Sequence, residues 1–169
     1  MGRAAMRILP LVAAVLLTAC GGYRWVGVDG GAGPGGATSL VVPTFVNESA
    51  EPFLSEKVTA AMRERLLAGG VNVAASGGAR LNGRILDFQD EVLAFDGAGN
   101  ASHRRLVVVV RLELIEAGET VWQRARQVSS AVYPVTGDPT RNRDAKDRAI
   151  EDAAFSLGEQ VLLGLGTRD

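Results

Sequence analysis

Very few side chains in this sequence have the types and spacing that catalysis needs. His103 and Cys20 are the only histidine and the only cysteine among the 169 residues. A nucleophilic triad needs a histidine beside the attacking side chain, and a zinc site of the usual kind needs several histidine or cysteine ligands. The acids form no D-x-D-x-D-G calcium loop. We therefore expect no metal site, and we interpret His103 as a surface imidazole rather than a pH switch.

The other candidates for chemistry are three acids, Asp87, Asp90 and Glu91. Two neighbouring carboxylates can serve as general acid and general base, so an exported hydrolase is one hypothesis for this cluster. The surrounding alternation favours solvated acids near an irregularity in a strand. We therefore predict that the protein is not an enzyme.

The overall charge of the chain is close to neutral. Its 18 lysines and arginines are balanced by 19 aspartates and glutamates, which excludes a strongly basic nucleic-acid-binding protein. Hydrophobic residues make up 47% of the chain and aromatic residues 5%, which is typical of a globular domain rather than of a disordered chain. The length predicts one domain, and the lone cysteine excludes internal disulfides.

The first 19 residues predict a signal peptide. Arg3 and Arg7 precede an uncharged, mostly apolar run, Ile8–Leu17, which is about half the length that a membrane-spanning helix needs. The run leads into L-T-A-C at residues 17–20, which resembles the bacterial lipobox, whose cysteine is acylated and becomes the mature N-terminus. A free or buried thiol after an ordinary signal peptide is the alternative. We predict a covalent lipid on Cys20 as the membrane anchor and no cofactor besides it.

A glycine-rich segment follows the lipidated end. Residues 27–38 contain six glycines and one proline, the composition of a flexible linker. Glycines 31, 33 and 36 match G-x-G-x-x-G by letter, but no strand precedes them and Pro34 interrupts them, so we reject a dinucleotide site. The predicted organisation is a signal peptide over residues 1–19, a lipidated N-terminus and tether over 20–38, and a single α+β domain over 39–169.

The first half of that domain reads as a strand followed by a helix. Leu40–Val46 is a β-branched run that Pro43 interrupts, as in an edge strand or one with a bulge. A helical period begins at Pro52 and stops at residues 69–70, both glycine. Val71–Ala74 is a candidate short strand.

The second half reads as a run of strands and a second helix. An alternating strand begins at Leu81 and continues towards Phe95, with an irregularity near residues 87–90 and a turn at 96–100. Leu106–Leu114 is the clearest strand. A four-residue loop around Gly118 would then pair four sets of residues: Ile115 with Trp122, Glu113 with Arg124, Arg111 with Arg126, and Val109 with Val128.

After a loop over Tyr133–Asn142, apolar residues at helical spacing mark the second helix: Ala149, Ala153, Leu157 and Val161. Two helices with one apolar stripe each need one apolar sheet face. The predicted fold is therefore an α+β two-layer sandwich, with two helices packed on one face of a four- to five-stranded mixed, mostly antiparallel sheet.

The other face of this sheet would carry no helix. It would mix apolar side chains with arginines: Arg105, Val107, Val109, Arg111, Ile115, Trp122, Arg124, Arg126 and Val128. Two hypotheses stay open for this face. It is either a contact surface for a partner or a solvated strand face with scattered valines.

Several segments together resemble the LptE family of lipopolysaccharide-assembly lipoproteins. They are C-G-G-Y at 20–23, V-P-T-F-V-N at 42–47, E-P at 51–52, the valine-rich strand, and G-E-T-V-W at 118–122. The resemblance covers nearly the whole mature chain, although the glycine-rich insert is longer than expected. It implies a lipoprotein on the periplasmic side of the outer membrane that plugs and helps assemble the β-barrel LptD for lipopolysaccharide transport to the cell surface.

The resemblance transfers only one functional residue, Cys20. The next residue, Gly21, favours the outer membrane, because lipoproteins retained at the inner membrane often have an aspartate there. The family is connected with binding of lipopolysaccharide, whose phosphates arginine forks would suit. The candidates for contact with the barrel or with lipopolysaccharide are Arg105, Val107, Val109, Arg111, Trp122, Arg124 and Arg126. The alternative function is another outer-membrane assembly or secretion lipoprotein with a small α+β domain, such as one that forms an oligomeric ring.

Overall fold

The computed structural model describes residues 39–166. The predicted signal peptide, Cys20 and the glycine-rich tether lie outside these residues. The elements, in chain order, are β1 (Leu40–Val41), β2 (Val46–Asn47), α1 (Leu54–Ala68), β3 (Ala79–Phe95), β4 (Ala101–Glu116), β5 (Glu119–Pro134) and α2 (Pro139–Gly166).

The strands form one five-stranded sheet in the order β1-β3-β4-β5. β2 lies on the same edge of β3 as β1 and pairs with it further along the strand. β1 and β2 run parallel to β3, whereas β3, β4 and β5 are joined by antiparallel hairpins. Both helices pack on the same face. The predicted fold class, two helices on one face of a mixed, mostly antiparallel sheet, is confirmed.

The core lies between the helices and this face of the sheet. β4 contributes five alternate side chains, each at most 1% exposed, and the helices contribute their apolar stripes. Burying one such aliphatic side chain contributes about 1.5–3 kcal/mol. The principal members are Leu106, Val108, Val110, Leu112 and Leu114 of β4, Leu54, Val58, Met62 and Leu66 of α1, and Ala149, Ala153, Leu157 and Val161 of α2.

Pro43 divides the first strand into β1 and β2, as the sequence predicted for an edge strand. The backbone groups near this break are satisfied by side chains of α1. Arg63 donates from Nε and Nη2 to the Val42 carbonyl at 2.9 and 2.6 Å, and the Phe45 N–H donates to Thr59 Oγ1 at 2.9 Å. These bonds attach the irregular segment to the helix layer and keep its polar backbone paired. The candidate strand over residues 71–74 is reduced to one bridge, between Val73 and Leu40.

α1 ends where the sequence predicted. The Gly69 N–H donates to the Arg65 carbonyl at 2.9 Å, and Gly70, with φ of 82°, donates to the Leu67 carbonyl. A positive φ just after the last turn is the usual glycine stop of a helix. The start is different, because Phe53 precedes the helix with φ of 58° and its side chain caps no N–H group.

The β4–β5 turn is tighter than predicted. Glu116 pairs with Glu119, so the loop has two residues instead of four. Ala117 and Gly118 have φ of 51° and 90°, the left-handed pair that favours two-residue hairpins because its twist matches that of the strands. At the other end of β4, Asp96 Oδ1 accepts the N–H groups of Ala98 and Asn100, both at 2.9 Å, and closes the predicted turn.

α2 begins inside the segment that was predicted to be a loop. Asp138 Oδ1 accepts the N–H groups of Thr140 and Arg141 at 2.9 and 3.3 Å, and Pro139 occupies the first helical position. Aspartate before proline is a strong helix start. The prediction was wrong because the first turns of α2 are polar and carry no apolar period.

Gly83 of β3 provides a test of this packing, because Phe45 lies directly over it. A methyl group at position 83 would overlap the ring carbons of Phe45, which is 2% exposed. Gly83→Ala should therefore lower the free energy of unfolding by about 1–3 kcal/mol.

Urea unfolding followed by circular dichroism measures this effect. Gly97→Ala is the matched control, because nothing lies within 4 Å of the carbon it adds, and it should change the free energy by less than about 0.5 kcal/mol. Equal destabilisation by the two variants would contradict the close packing of Phe45 on the sheet.

Candidate functional site

The sheet face opposite the helices is the candidate functional surface. None of the described elements packs over it, and we call it the open face. In antiparallel pairs, directly opposite residues share a face, which places Val107, Val109 and Ile115 of β4 here together with Val128 and Val132 of β5. Val128 and Val132 are 45% and 51% exposed, whereas Val109 is only 1% exposed. Val109 is therefore buried although neither of the described helices packs on this side.

Two of the predicted open-face residues lie on the other face. Trp122 pairs with Leu114, and Arg124 pairs with Leu112, both of which belong to the core row. The predicted pairs of Trp122 with Ile115 and of Arg124 with Glu113 are therefore wrong, whereas Val109 with Val128 is confirmed.

The observed pairs of Trp122 and Arg124 differ from the predicted ones because β5 contains an extra residue. Between Val110, which pairs with Gln127, and Leu112, which pairs with Arg124, β5 has one residue more than β4. Such a bulge reverses which face the following side chains occupy. It also removes the predicted pairing of Arg111 with Arg126, since Arg111 lies across from the bulge.

Trp122 serves the packing of α2. A Cβ at Gly164 would lie 3.1 Å from its indole ring, so the small residue makes room for the ring at this end of the helix. The Arg124 guanidinium lies over the same ring, 5.1 Å from its centroid, a cation–π geometry. Both side chains are thus engaged on the helix-bearing side.

The basic residues of the open face come from β3 as well as β4. Arg84 lies directly opposite Arg111, and Arg105 is 3.8 Å from Glu91 in an exposed ion pair. Arg80 is exposed on the same face, opposite Ile115. Arg80 and Arg84 were not among the residues predicted for this face, although their alternation with Leu81 and Ile85 signals them.

The three candidate acids do not form one cluster. Asp87 and Glu91 pair with Val109 and Arg105 on the open face, whereas Asp90 pairs with Leu106 on the helix-bearing face. The Asp87 carboxylate accepts a hydrogen bond from Gln89 at 2.8 Å. The arrangement offers no pair of facing carboxylates for hydrolysis.

Asp90 instead lies at the centre of a polar network near the first turns of both helices. Arg104 donates from Nε to Asp90 Oδ1 at 2.8 Å, and the Tyr133 hydroxyl donates to Oδ2 at 2.8 Å. Lys146 Nζ lies 3.5 Å from Asp90 Oδ2 and 2.8 Å from Glu51 Oε1. Since these five residues come from five separate segments, no spacing in the sequence could reveal the network.

This network changes the acidity of two of its members. Burial, followed by the hydrogen bond to Asp90, raises the pKa of Tyr133 to about 12. The hydrogen bond to Asp90 also raises the pKa of Arg104 above its usual value. The phenol and the guanidinium therefore keep their protons at any physiological pH, and the network acts as a fixed structural unit rather than as an acid–base pair.

His103 lies at the far end of β4 and is exposed. Its Nδ1 is 3.3 Å from Ser102 Oγ, a contact between adjacent surface residues. The position agrees with the interpretation of a surface imidazole.

The model of the LptE lipopolysaccharide-assembly family matches residues 37–163. This chain belongs to the LptE family. The match spans the sheet and both helices, and the recognition made from the sequence is confirmed. LptE proteins are non-enzymatic lipoproteins of lipopolysaccharide assembly.

Solved structures share this LptE fold at low sequence identity. Rare lipoprotein B from Shewanella oneidensis is 12% identical with a TM-score of 0.51, over 76% of this chain and 95% of that one. A lipoprotein from Caulobacter crescentus is 19% identical with a TM-score of 0.50, over 73% and 88% of the two chains. Protein CT253 from Chlamydia trachomatis is 10% identical with a TM-score of 0.53, over 77% and 98%.

Among curated proteins, none matches the sequence. Neither helix within residues 39–166 combines the length and the apolar character needed to span a bilayer.

The acidity of Tyr133 gives a test of the polar network. The neutral phenol is the form that the folded chain favours, so its contribution to stability is complete below pH 10, the ordinary pKa, and is lost as the pH rises towards 12. Spectrophotometric titration should show one of the two tyrosines, Tyr23 and Tyr133, ionising about two pH units late.

Tyr133→Phe should remove this late component and leave the other unchanged. Over the same pH interval the free energy of unfolding should fall more for the natural chain than for the variant. A late component that persists in Tyr133→Phe would show that the shifted phenol is not Tyr133.

Proposed function

We propose that this LptE-family chain is a lipid-anchored outer-membrane lipoprotein whose open face is enclosed by an LptD-type β-barrel, which it plugs and helps assemble for lipopolysaccharide transport. The family match supports the role in lipopolysaccharide assembly. The observation that carries the barrel contact is the open face itself, a sheet surface with exposed valines and arginines and no layer over it among residues 39–166.

The shape and composition of the open face suit a protein partner. Val128 and Val132 lie on β5, opposite Val109 and Arg105 of β4, and form an apolar strip beside charged groups. An apolar centre with a polar rim is the usual anatomy of a protein interface. Of the contact residues predicted from the sequence, Arg105, Val107, Arg111 and Arg126 stay candidates on this face. Val109 lies on the same face but is only 1% exposed, so it offers no surface to a partner.

Trp122 and Arg124 leave that set, because they lie on the helix-bearing side. Arg124 thereby becomes a matched control for the arginines of the open face. Direct contact of Arg105, Arg111 and Arg126 with lipopolysaccharide is the second part of the proposal. Replacing these three arginines with Gln should weaken binding of lipopolysaccharide to the purified protein, whereas Arg124→Gln should leave it unchanged.

Anchoring through Cys20 is the part of the proposal that concerns the membrane. Two or three acyl chains on this residue anchor a protein stably in a membrane, whereas a single chain binds only marginally. The family and Gly21 favour a location on the periplasmic side of the outer membrane.

The barrel contact predicts the behaviour of a double variant, Val128→Asn with Val132→Asn. An amide that becomes buried in the interface without a partner costs about 1–3 kcal/mol, so the amount of barrel protein co-purifying with the tagged chain should fall at least about tenfold. Leu67→Asn, at a 55% exposed leucine on the helix layer, is the control and should leave recovery unchanged.

Mild-detergent affinity purification followed by mass spectrometry measures this recovery. Equal barrel recovery from the double variant would show that the open face is merely solvated. Self-association of the natural chain without any barrel would favour the ring-forming alternative instead.

The anchor predicts a change in cell fractionation. Cys20→Ser removes the thiol that takes the lipid, so the variant should leave the outer-membrane fraction. Mass spectrometry of the N-terminal peptide of the natural chain should find an acylated cysteine. An unmodified thiol at position 20 would contradict the anchor.

A further inference from the structure

Phe53, the residue before α1, has a backbone conformation that bulky side chains rarely adopt. Its φ of 58° and ψ of 13° lie in the left-handed region, which glycine enters without strain and a residue with a Cβ does not. Among the residues that the structure describes, Ala117 is the other non-glycine residue with a positive φ, and it lies in a two-residue hairpin turn that requires this conformation. At Phe53, a glycine would adopt the same backbone without strain.

The Phe53 side chain contributes neither to the core nor to the start of the helix. Its ring is 77% exposed, more than any other large apolar side chain that the structure describes. It is absent from the buried cluster between the helices and the sheet. A phenyl ring also cannot accept the N–H groups of the first turn, as the side chain of a capping residue does. A residue that is strained and exposed without benefit to the fold indicates a functional role.

A concavity of about 520 Å³ lies beside this ring. Phe53 and Pro52 form part of its wall, and residues of β4, β5 and the first turns of α2 form the rest. Arg143 lines it and forms no ion pair within residues 39–166. Three ion pairs neutralise the other cations of the wall: Lys57 with Asp147, Arg104 with Asp90, and Lys146 with Glu51. The surface therefore combines an apolar projection, an adjacent hollow and one unneutralised cation.

These features fit a protein partner better than a lipid bilayer. Binding to an anionic membrane surface depends on clusters of unpaired basic residues, whereas three of the four cations here are paired. An aromatic anchor surrounded by polar groups is the usual centre of a protein interface. The complementary surface is an apolar socket for the Phe53 ring, with a carboxylate placed to meet Arg143.

This surface and the open face lie on opposite sides of the sandwich. The wall of the pocket includes Arg104 and Tyr133, which pair with each other in the sheet, and Tyr133 belongs to the core on the helix-bearing side. A barrel that encloses the domain meets both sides at once. We propose that Phe53 is an anchor residue through which the helix-bearing side contacts the barrel, with Arg143 as its charged neighbour. This inference rests on the proposed function and adds a second contact surface to it.

The strain at Phe53 separates a binding role from a structural one. Phe53→Gly removes the ring and relaxes the backbone, so the melting temperature of the purified chain should stay unchanged or rise by up to about 5 °C. Barrel recovery in mild-detergent affinity purification should fall at least about tenfold. Ala117→Gly is the matched control, because it relaxes the other positive φ, at the β4–β5 turn. Its melting temperature should change in the same direction, and its barrel recovery should be unchanged.

The charge of Arg143 gives a second test. Arg143→Glu would place a carboxylate against the carboxylate of the partner, so barrel recovery should fall at least about tenfold. Arg148→Glu makes the same change of charge on the same helix, at an exposed residue outside the pocket, and should leave recovery unchanged. Equal losses from the two variants would indicate only a dependence on net charge and would contradict the contact.

Failure of this inference is distinguishable from failure of the proposed function. If the natural chain recovers no barrel, the proposed function fails and this contact fails with it. If the natural chain recovers the barrel and Phe53→Gly recovers as much, only the contact through Phe53 is wrong. A lower melting temperature for Phe53→Gly would show that the ring supports the fold. Flotation of Cys20→Ser with vesicles of phosphatidylethanolamine and phosphatidylglycerol that depends on Phe53 would assign the ring to the membrane, and either of these two results would overturn the proposal.

Discussion

The alternation of β4 is the constraint on which the rest of the fold depends. This strand is paired along both edges, and five of its alternate side chains, from Leu106 to Leu114, are at most 1% exposed. Their burial contributes on the order of 10 kcal/mol before entropy is counted, which is comparable to the net stability of a domain. Because the row needs an apolar layer over it, both amphipathic helices pack on that side, and the other side is left without one.

The two outer strands follow this alternation only in part. β3 shifts its register between Ile85 and Asp87, and β5 shifts opposite the Val110–Leu112 segment. Each extra residue exchanges the faces of the side chains beyond it. In β5 the exchange moves an indole and a guanidinium from the open face to the end of α2, where the ring packs close to Gly164. The bulge therefore makes the open face less aromatic, and the indole completes the helix packing.

The parts of the fold that follow from local periodicity could be predicted from the sequence. The α+β class, the edge strand broken at Pro43, the glycine stop of α1 and the pairing of Val109 with Val128 all depend on short-range patterns. The register near the β4–β5 turn could not be predicted, because β5 has two irregularities there, opposite Val110–Leu112 and opposite Leu114–Ile115, and each one changes the pairings between it and the loop. The start of α2 was missed because its cap, Asp138, precedes a polar first turn.

The candidate site could also be predicted only where it depends on local alternation. Alternation placed Arg105, Val107, Val109 and Arg111 on one face, and the structure agrees. The polar network around Asp90 could not be predicted from the sequence, because only the tertiary structure brings its residues together.

The two charged regions of the molecule show which charges the fold itself uses. Around Asp90, each cation meets a carboxylate, and Lys146 bridges Asp90 and Glu51. Such a network satisfies its own polar groups, so its residues need no ligand to explain them. The opposed pair of Arg84 and Arg111 is different, because two like charges in register destabilise a sheet. Arg84 forms an ion pair with Glu48, but Arg111 forms none among residues 39–166. Residues that break a local rule without benefit to the fold are where function is expected, and this agrees with the contact role that we propose for the open face.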